Sequence, residues 1–204
     1  MITEPALIEQ KSFEIIGSEL AQNILEELKP VIYRIIHTTA DFEYAEITEF
    51  HPDAIKRGME AIRKGCSIYA DTNMICSGIN KTLLDRYNCR IYTLVSHKET
   101  ADEASARGVT RSIIGMEKAC NDISTKIFII GNAPTALFTL KHEIDKGRVS
   151  PDLVIAVPVG FVGAAESKHE FRDSGVPYII THRRKGGSTV AVSILNAILL
   201  LMDN

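Results

Sequence analysis

The chain has 204 residues, 45% of them apolar and 24% charged, and a formal net charge of −3. That length is one ordinary domain, 1–204, with enough residues to bury a sizeable core, and the balance is that of a folded globular protein. The charge offers no general attraction for nucleic acid or an anionic membrane, so an acidic ligand has to be held by local basic groups. The opening MITEPALIEQKS is acidic where a secretion signal needs a basic region, and the longest apolar run, Ile194 to Met202, is broken by Asn196; the expected location is the cytoplasm, with no membrane and no nucleic-acid partner. Cys66, Cys76, Cys89 and Cys120 lack CxxC spacing and read as buried reduced thiols rather than metal ligands.

In chain order, Pro5 to about Leu28 reads helical, with Gly17 or Ser18 as a break point, and Pro30 opens a second helical turn that continues through VIYRIIH to His37. These residues, 1–40, are expected to form a helical arm before an α/β core at 41–204. Phe42 to Phe50 has a weak edge-strand pattern, and Pro52–Lys64 is a helix closed by Gly65. From there strands and helices alternate. The strand Cys66–Ala70 leads to a short helix at Asp71–Ile79 and a loop through Asn88; the strand Cys89–Val95 leads to a helix at Lys98–Cys120 interrupted near Gly108. Then come the strand Ile127–Ile130, helix Pro134–Lys146, strand Leu153–Val157, helix Ala164–Asp173, strand Tyr178–Thr181 and helix Ser188–Met202. Alternation of this kind predicts a flavodoxin-like doubly wound fold, a mainly parallel sheet with helices on both faces.

Ligands of such sheets bind at the carboxyl ends of the strands, so the loops there carry the functional reading. LVIAVPVGFVGAAESK, Leu153 to Lys168, is an apolar strand stopped by Pro158, a turn with Gly160 and Gly163, and a helix start. KIFIIGNAPTALF, Lys126 to Phe138, repeats the grammar with Gly131 and Asn132 at the turn, whose free backbone N–H groups favour an anion. Neither GxGxxG nor a lysine at GK[ST] spacing occurs, which argues against nucleotide hydrolysis and dinucleotide binding. The third loop is Arg183-Arg184-Lys185-Gly186-Gly187-Ser188, an anion cradle of cations, glycines and a helix start. Arg111 and Lys168 are expected to add positive charge to the same rim, which suits a ligand with several carboxylates.

Of the histidines, His142 and His169 sit on charged helices and read as surface residues, and His51 reads as a helix-entry residue. His97 and His182 follow strands. His37 ends an apolar helical turn, where the partial negative charge of the helix end favours imidazolium; Asp41 is placed to orient its ring. A structural capping role and a proton-donor role both fit His37 at this point.

Taken together, KSF at Lys11–Phe13, RIIHTTADFEYAE at Arg34–Glu46, ADTNMICSGI at Ala70–Ile79, TRS at Thr110–Ser112, IGNAPTALF, PVGFVGAAESK and KGGS at Lys185–Ser188 resemble the precorrin-8X and cobalt-precorrin-8 methylmutase family of corrin biosynthesis. The resemblance implies a flavodoxin-like subunit, a homodimer with shared active-site clefts, and no cofactor or resident metal. It implies an isomerase that moves a methyl group between adjacent carbons of ring C of a tetrapyrrole, giving hydrogenobyrinate or cobyrinate. His37 matches the family's proton donor, Ser12 its substrate-contacting serine, and Arg111 its TRS arginine. The chain departs from the pattern at Arg183, where many members carry glycine.

The chemistry agrees with the residues. A partly apolar disc edged with carboxylates needs backbone donors, cations and an apolar floor. A sigmatropic shift needs no nucleophile, and protonating a ring nitrogen makes the adjacent carbon more electron-poor. Two rival readings remain at this stage: a non-catalytic tetrapyrrole-binding protein, which keeps the cradle without needing His37, and a flavin or nucleotide module. No Trp occurs, so the usual stacking residues for flavin are scarce.

Overall fold

The computed structural model describes residues 3–20 and 24–203. Six strands, β1 (Thr48–Phe50), β2 (Ser67–Ala70), β3 (Arg90–Tyr92), β4 (Thr125–Ile130), β5 (Leu153–Ala156) and β6 (Tyr178–Thr181), form one sheet in the order β1-β6-β5-β4-β2-β3. All neighbours are parallel except β1, which runs antiparallel to β6. Without β1 the order is the flavodoxin-like one expected from the alternation of elements.

Among the described residues there are eleven α-helices, α1 (Pro5–Glu19), α2 (Lys29–Thr39), α3 (Tyr44–Ile47), α4 (Ala54–Arg63), α5 (Asn73–Gly78), α6 (Lys81–Arg86), α7 (Lys98–Arg107), α8 (Arg111–Cys120), α9 (Pro134–Asp145), α10 (Ala164–Phe171) and α11 (Ser188–Leu201), and one 3-10 turn at Arg172–Ser174. The strands are apolar without alternation because both faces are covered. Leu153 and Ile155 of β5 pack with residues of α2, α4, α5, α6 and α11, while Val154 and Ala156 pack with α8, α9 and α10.

Four sequence expectations change. The helix at the N-terminus runs unbroken through Gly17 and Ser18 to Glu19; its expected continuation through 21–23 lies outside the described residues. Helix α2 is part of the main body rather than an arm, since Val31, Ile32, Ile35 and Ile36 are buried and α2 lies along α11. Only Thr48–Phe50 of the proposed edge strand is extended; Tyr44 and Ile47, three apart, bury together on a single helical turn. The expected loop before Asn88 contains α6, started by the Asn80 side chain, which accepts the N–H of Leu83 at 3.1 Å. The interruption near Gly108 is real: Gly108 closes α7 at φ +64° before α8 begins.

Strand β1 matters most for the site. Its pairing with β6, extended by His182 N–H to the Ile47 carbonyl at 2.7 Å, brings the segment after α2 beside the loop that follows β6.

Candidate active site

Asp71, directly after β2, is buried and accepts three backbone N–H groups from the turn after β4: Gly131 at 3.0 Å, Asn132 at 2.9 Å and Ala133 at 2.7 Å. Burial raises the pKa of this carboxyl, and the three donated hydrogen bonds oppose that shift. The expectation that Gly131 and Asn132 present free N–H groups to a ligand is therefore corrected. The turn does bind an anion, and the anion is the protein's own. Gly131 is required by close approach, because a Cβ there would lie 2.9 Å from Ser188 Cα. The Asn132 side chain remains exposed.

The loops after β5 and β6 are laced together. The Gly187 N–H donates to the Val157 carbonyl at 2.8 Å and the Gly160 N–H to the Arg184 carbonyl at 3.2 Å. A Cβ on Gly186 would stand 2.2 Å from the Val157 oxygen, at φ +152°, so only glycine fits. Gly160 and Gly187 thus spend their N–H groups inside the protein, another correction to the cradle reading, while Gly163 opens α10 against Phe138 and Pro134. The Ser188 hydroxyl is within hydrogen-bond distance of Thr72 Oγ1 at 3.1 Å.

Lys168 is not on the rim. It is 1% exposed, and its ammonium donates upward to the Lys185 carbonyl at 2.7 Å and, more weakly, to Thr181 Oγ1 at 3.5 Å. Burial pushes its pKa down to about 8. A lysine on a short charged helix reads as solvated, but here β6 and the basic turn close over it.

The basic turn itself is largely neutralised. Lys185 forms ion pairs with Asp41 and, at 2.7 Å, with Glu43; Arg183 reaches Glu43 at 3.3 Å. Asp41 therefore serves Lys185, not His37, and the hydrogen bond from Lys185 holds its carboxyl below the ordinary aspartate range. Among the described residues Arg184 has no carboxylate partner, and its guanidinium lies 5.4 Å from the centroid of the 83%-exposed Phe161 ring. Arg183 holds φ +60°, the left-handed region that favours glycine.

His37 is exposed in the last turn of α2, and Phe13 of α1 supports its ring edge to face. Arg34, one turn earlier, lies over Phe13 and pairs with Glu9. Ser12, beside Phe13, turns its hydroxyl back to the Ile8 carbonyl at 2.8 Å. His37 and Thr38 line a hollow of about 390 Å³ with Arg34, Met74 and Asn80. Thr39 lines a second hollow of about 350 Å³ with Asp41, Tyr44, Phe161 and Arg184. The end of α2 is thus the partition between two hollows. Arg111 is exposed at the start of α8, where Thr110 meets Thr135 of α9 at 3.2 Å; it lines neither hollow.

The other histidines are elsewhere. His182 pairs with Glu49 at 2.8 Å, His51 accepts the Asp53 N–H, His97 precedes α7, and His142 and His169 are exposed. Residues that sequence reasoning missed are Asp71, whose partners lie some 60 positions away, Phe13, read only as part of a motif, and Phe161.

The fold is that of a doubly wound α/β protein, with an exposed histidine lining one of two partly apolar hollows beside the loops that follow the strands, and an arginine without a carboxylate partner among the described residues on the rim of the other. The comparisons narrow this. Residues 7–201 match the precorrin-8X methylmutase family model. The chain is 45% identical to the cobalt-precorrin-8 methylmutase of Priestia megaterium, covering 100% of this chain and 91% of that one. It is 34% identical to the precorrin-8X methylmutase of Pseudomonas aeruginosa, covering 97% and 96%. The crystal structure of a Thermus thermophilus precorrin-8X methyl mutase superimposes with a TM-score of 0.88 at 37% identity, covering 96% and 95%. The chain belongs to the precorrin-8X methylmutase family, and is an isomerase of corrin biosynthesis that shifts a methyl group.

Proposed function

We propose that this enzyme acts on cobalt-precorrin-8 in preference to metal-free precorrin-8X, moving a methyl group between adjacent ring-C carbons to give cobyrinate. The relative named for the cobalt substrate shares more of this sequence than the one named for the metal-free substrate. The observation that carries the mechanism is the exposed His37, which lines the first hollow in the last turn of α2, two residues before Thr39 of the second. His37 donates a hydrogen bond or a proton to a ring nitrogen, the neighbouring carbon becomes electron-poor, the methyl group migrates to it within one molecule, and any proton given returns from the nitrogen to the imidazole. No atom is gained or lost. General acid assistance of this kind is worth roughly 10²–10⁴-fold, and orientation in the cleft supplies the rest.

In this reading Ser12, Arg111, Asn132 and Arg184 contact the substrate. Each hollow lies toward the low end of ordinary ligand pockets, about 300–1,000 Å³, and a tetrapyrrole with its carboxylate arms needs more enclosure than either. A homodimer with shared clefts supplies it. Its support is exposed apolar surface: Leu7, Ile8 and Ile15 on α1, and Phe161 and Val162 (89% exposed) on the loop after β5. A cytoplasmic location fits four unpaired cysteines.

The test is a single-turnover absorbance assay with the cobalt and metal-free substrates side by side, since the shift changes the conjugation. Faster turnover of the cobalt form supports the proposal; equal or slower turnover removes the preference, and binding without turnover of either leaves a tetrapyrrole-binding protein. Light scattering at micromolar concentration is expected to give a dimer, and a monomer would count against shared clefts.

A further inference from the structure

We infer that the pair Asp41–Lys185, backed by Glu43, is a positioning link that fixes the proton-donor helix to the carboxylate-binding turn, and that Arg184 alone among the cations of that turn grips the ligand. The inference rests on the reading of His37 as donor and of the ligand as a polycarboxylate.

Lys185 is tied at both ends. Its carbonyl accepts from Lys168 at 2.7 Å and from Thr181 Oγ1 at 2.8 Å, and its ammonium is taken by Asp41 and Glu43. For Lys185 to leave these acids and meet a ligand carboxylate, two carboxylates would lose their counter-ion within reach of further negative charge, which is unfavourable. The acids are held too: Asp41 accepts the Glu43 N–H at 3.0 Å, and Arg183 pairs with Glu43. Three residues separate Asp41 from His37, and the intervening turn is set by Ala40 in the left-handed region at φ +52°. A displacement at Asp41 therefore reaches His37 through a short, bent tether. Tyr44 reinforces the same seam, its ring under the Lys185 ammonium at 5.9 Å and its hydroxyl 3.5 Å from the Gly186 carbonyl. Arg184, by contrast, is exposed, has no carboxylate partner among the described residues, and faces the hollow that Phe161 and Tyr44 line.

The experiment compares Lys185→Met, Asp41→Asn, their double variant, Lys185→Arg and Arg184→Met. It measures kcat for the methyl shift, Kd for the corrin product over a salt series, and the ¹⁵N signals of the His37 imidazole; thermal unfolding establishes that each variant is folded. Lys185→Met and Asp41→Asn are each expected to lower kcat about tenfold with product Kd changed less than about threefold, as a misplaced donor does. The double variant should be no worse than either single one, because one contact has been removed twice, and Lys185→Arg should recover much of the loss. Arg184→Met should show the opposite balance, weakening product binding and flattening its salt dependence by a larger factor than it lowers kcat. Product binding that weakens in Lys185→Met as it does in Arg184→Met would overturn the assignment. So would tighter product binding in Asp41→Asn, which would make the acids competitors of the ligand. The His37 signals separate this inference from the functional reading: they should shift in Lys185→Met and Asp41→Asn but not in Arg184→Met, whether or not the protein turns over a corrin precursor. Unshifted signals in the first two overturn the link even in an active enzyme.

Discussion

The Phe13 ring meets the His37 imidazole edge to face, with centroids 5.5 Å apart and planes at 79°. The contact joins α1 to the end of α2 and restricts the ring of the proposed donor. His37→Ala is expected to fold, to bind the corrin product, and to lose roughly 10²–10⁴-fold in the methyl shift. Phe13→Ala should keep the donor but free its ring, with a smaller loss in kcat and an unchanged product Kd. Wild-type turnover in His37→Ala, measured by single-turnover absorbance, would leave positioning alone to explain the rate.

Asp71→Asn should be costly although it is nearly isosteric. An amide offers one acceptor oxygen where three N–H groups now converge on two, and its NH₂ would face donors. A loss on the order of 2–4 kcal/mol in urea unfolding is expected. A change below 1 kcal/mol, roughly the worth of one ordinary hydrogen bond, would mean that the turn holds its shape without the carboxylate.

Lys168 gives a pH signature. Its pKa is about 8 in the folded protein, against 10.5 for an ordinary lysine, so the unfolded chain binds the proton more tightly. The cost of the buried charge is fully present below pH 8 and fades as pH rises toward 10.5. The wild type should therefore gain stability over Lys168→Met across that window, by up to about 3 kcal/mol. Urea unfolding of both proteins at several pH values measures the difference; parallel curves would show that the ammonium keeps its ordinary affinity for the proton.

Arg183 inverts a familiar rule. At an exposed loop position with negative φ, alanine is usually as good as glycine or better, by about 0.4–1 kcal/mol. At φ +60° the order should reverse, with Arg183→Gly more stable than Arg183→Ala by about 1 kcal/mol. Thermal unfolding of the two variants decides it, and a more stable alanine variant would mean that the backbone carries no strain there.

The parallel sheet was legible because its strands are continuous apolar runs stopped by glycine turns, and the place of His37 in the last turn of a helix was legible from VIYRIIH. The charges were misread for one reason. Lys168, Lys185 and Asp41 look solvated in a linear chain; the turn after β6 covers Lys168, and the pairing of β1 with β6 brings Asp41 to Lys185. Asp71 was hidden in the same way: a lone acid after a short strand carries no local sign that the turn after β4 will wrap it. Asn80 did carry a sign, since an N-cap side chain followed by Leu83 and Leu84 starts a helix even when only six residues follow.

The antiparallel pair of β1 and β6 has a consequence for how the enzyme comes into being. Residues 144 positions apart meet at Lys185 and Asp41, and the strand that brings Lys185 there is the last one in the chain. Closing so large a loop is among the slower steps of folding. A growing chain holds the residues of α2, with the proposed donor, long before β6 is made, so in such a chain nothing yet sets the position of that histidine. If His37 is the donor, catalytic competence is expected late in folding, when the final strand docks.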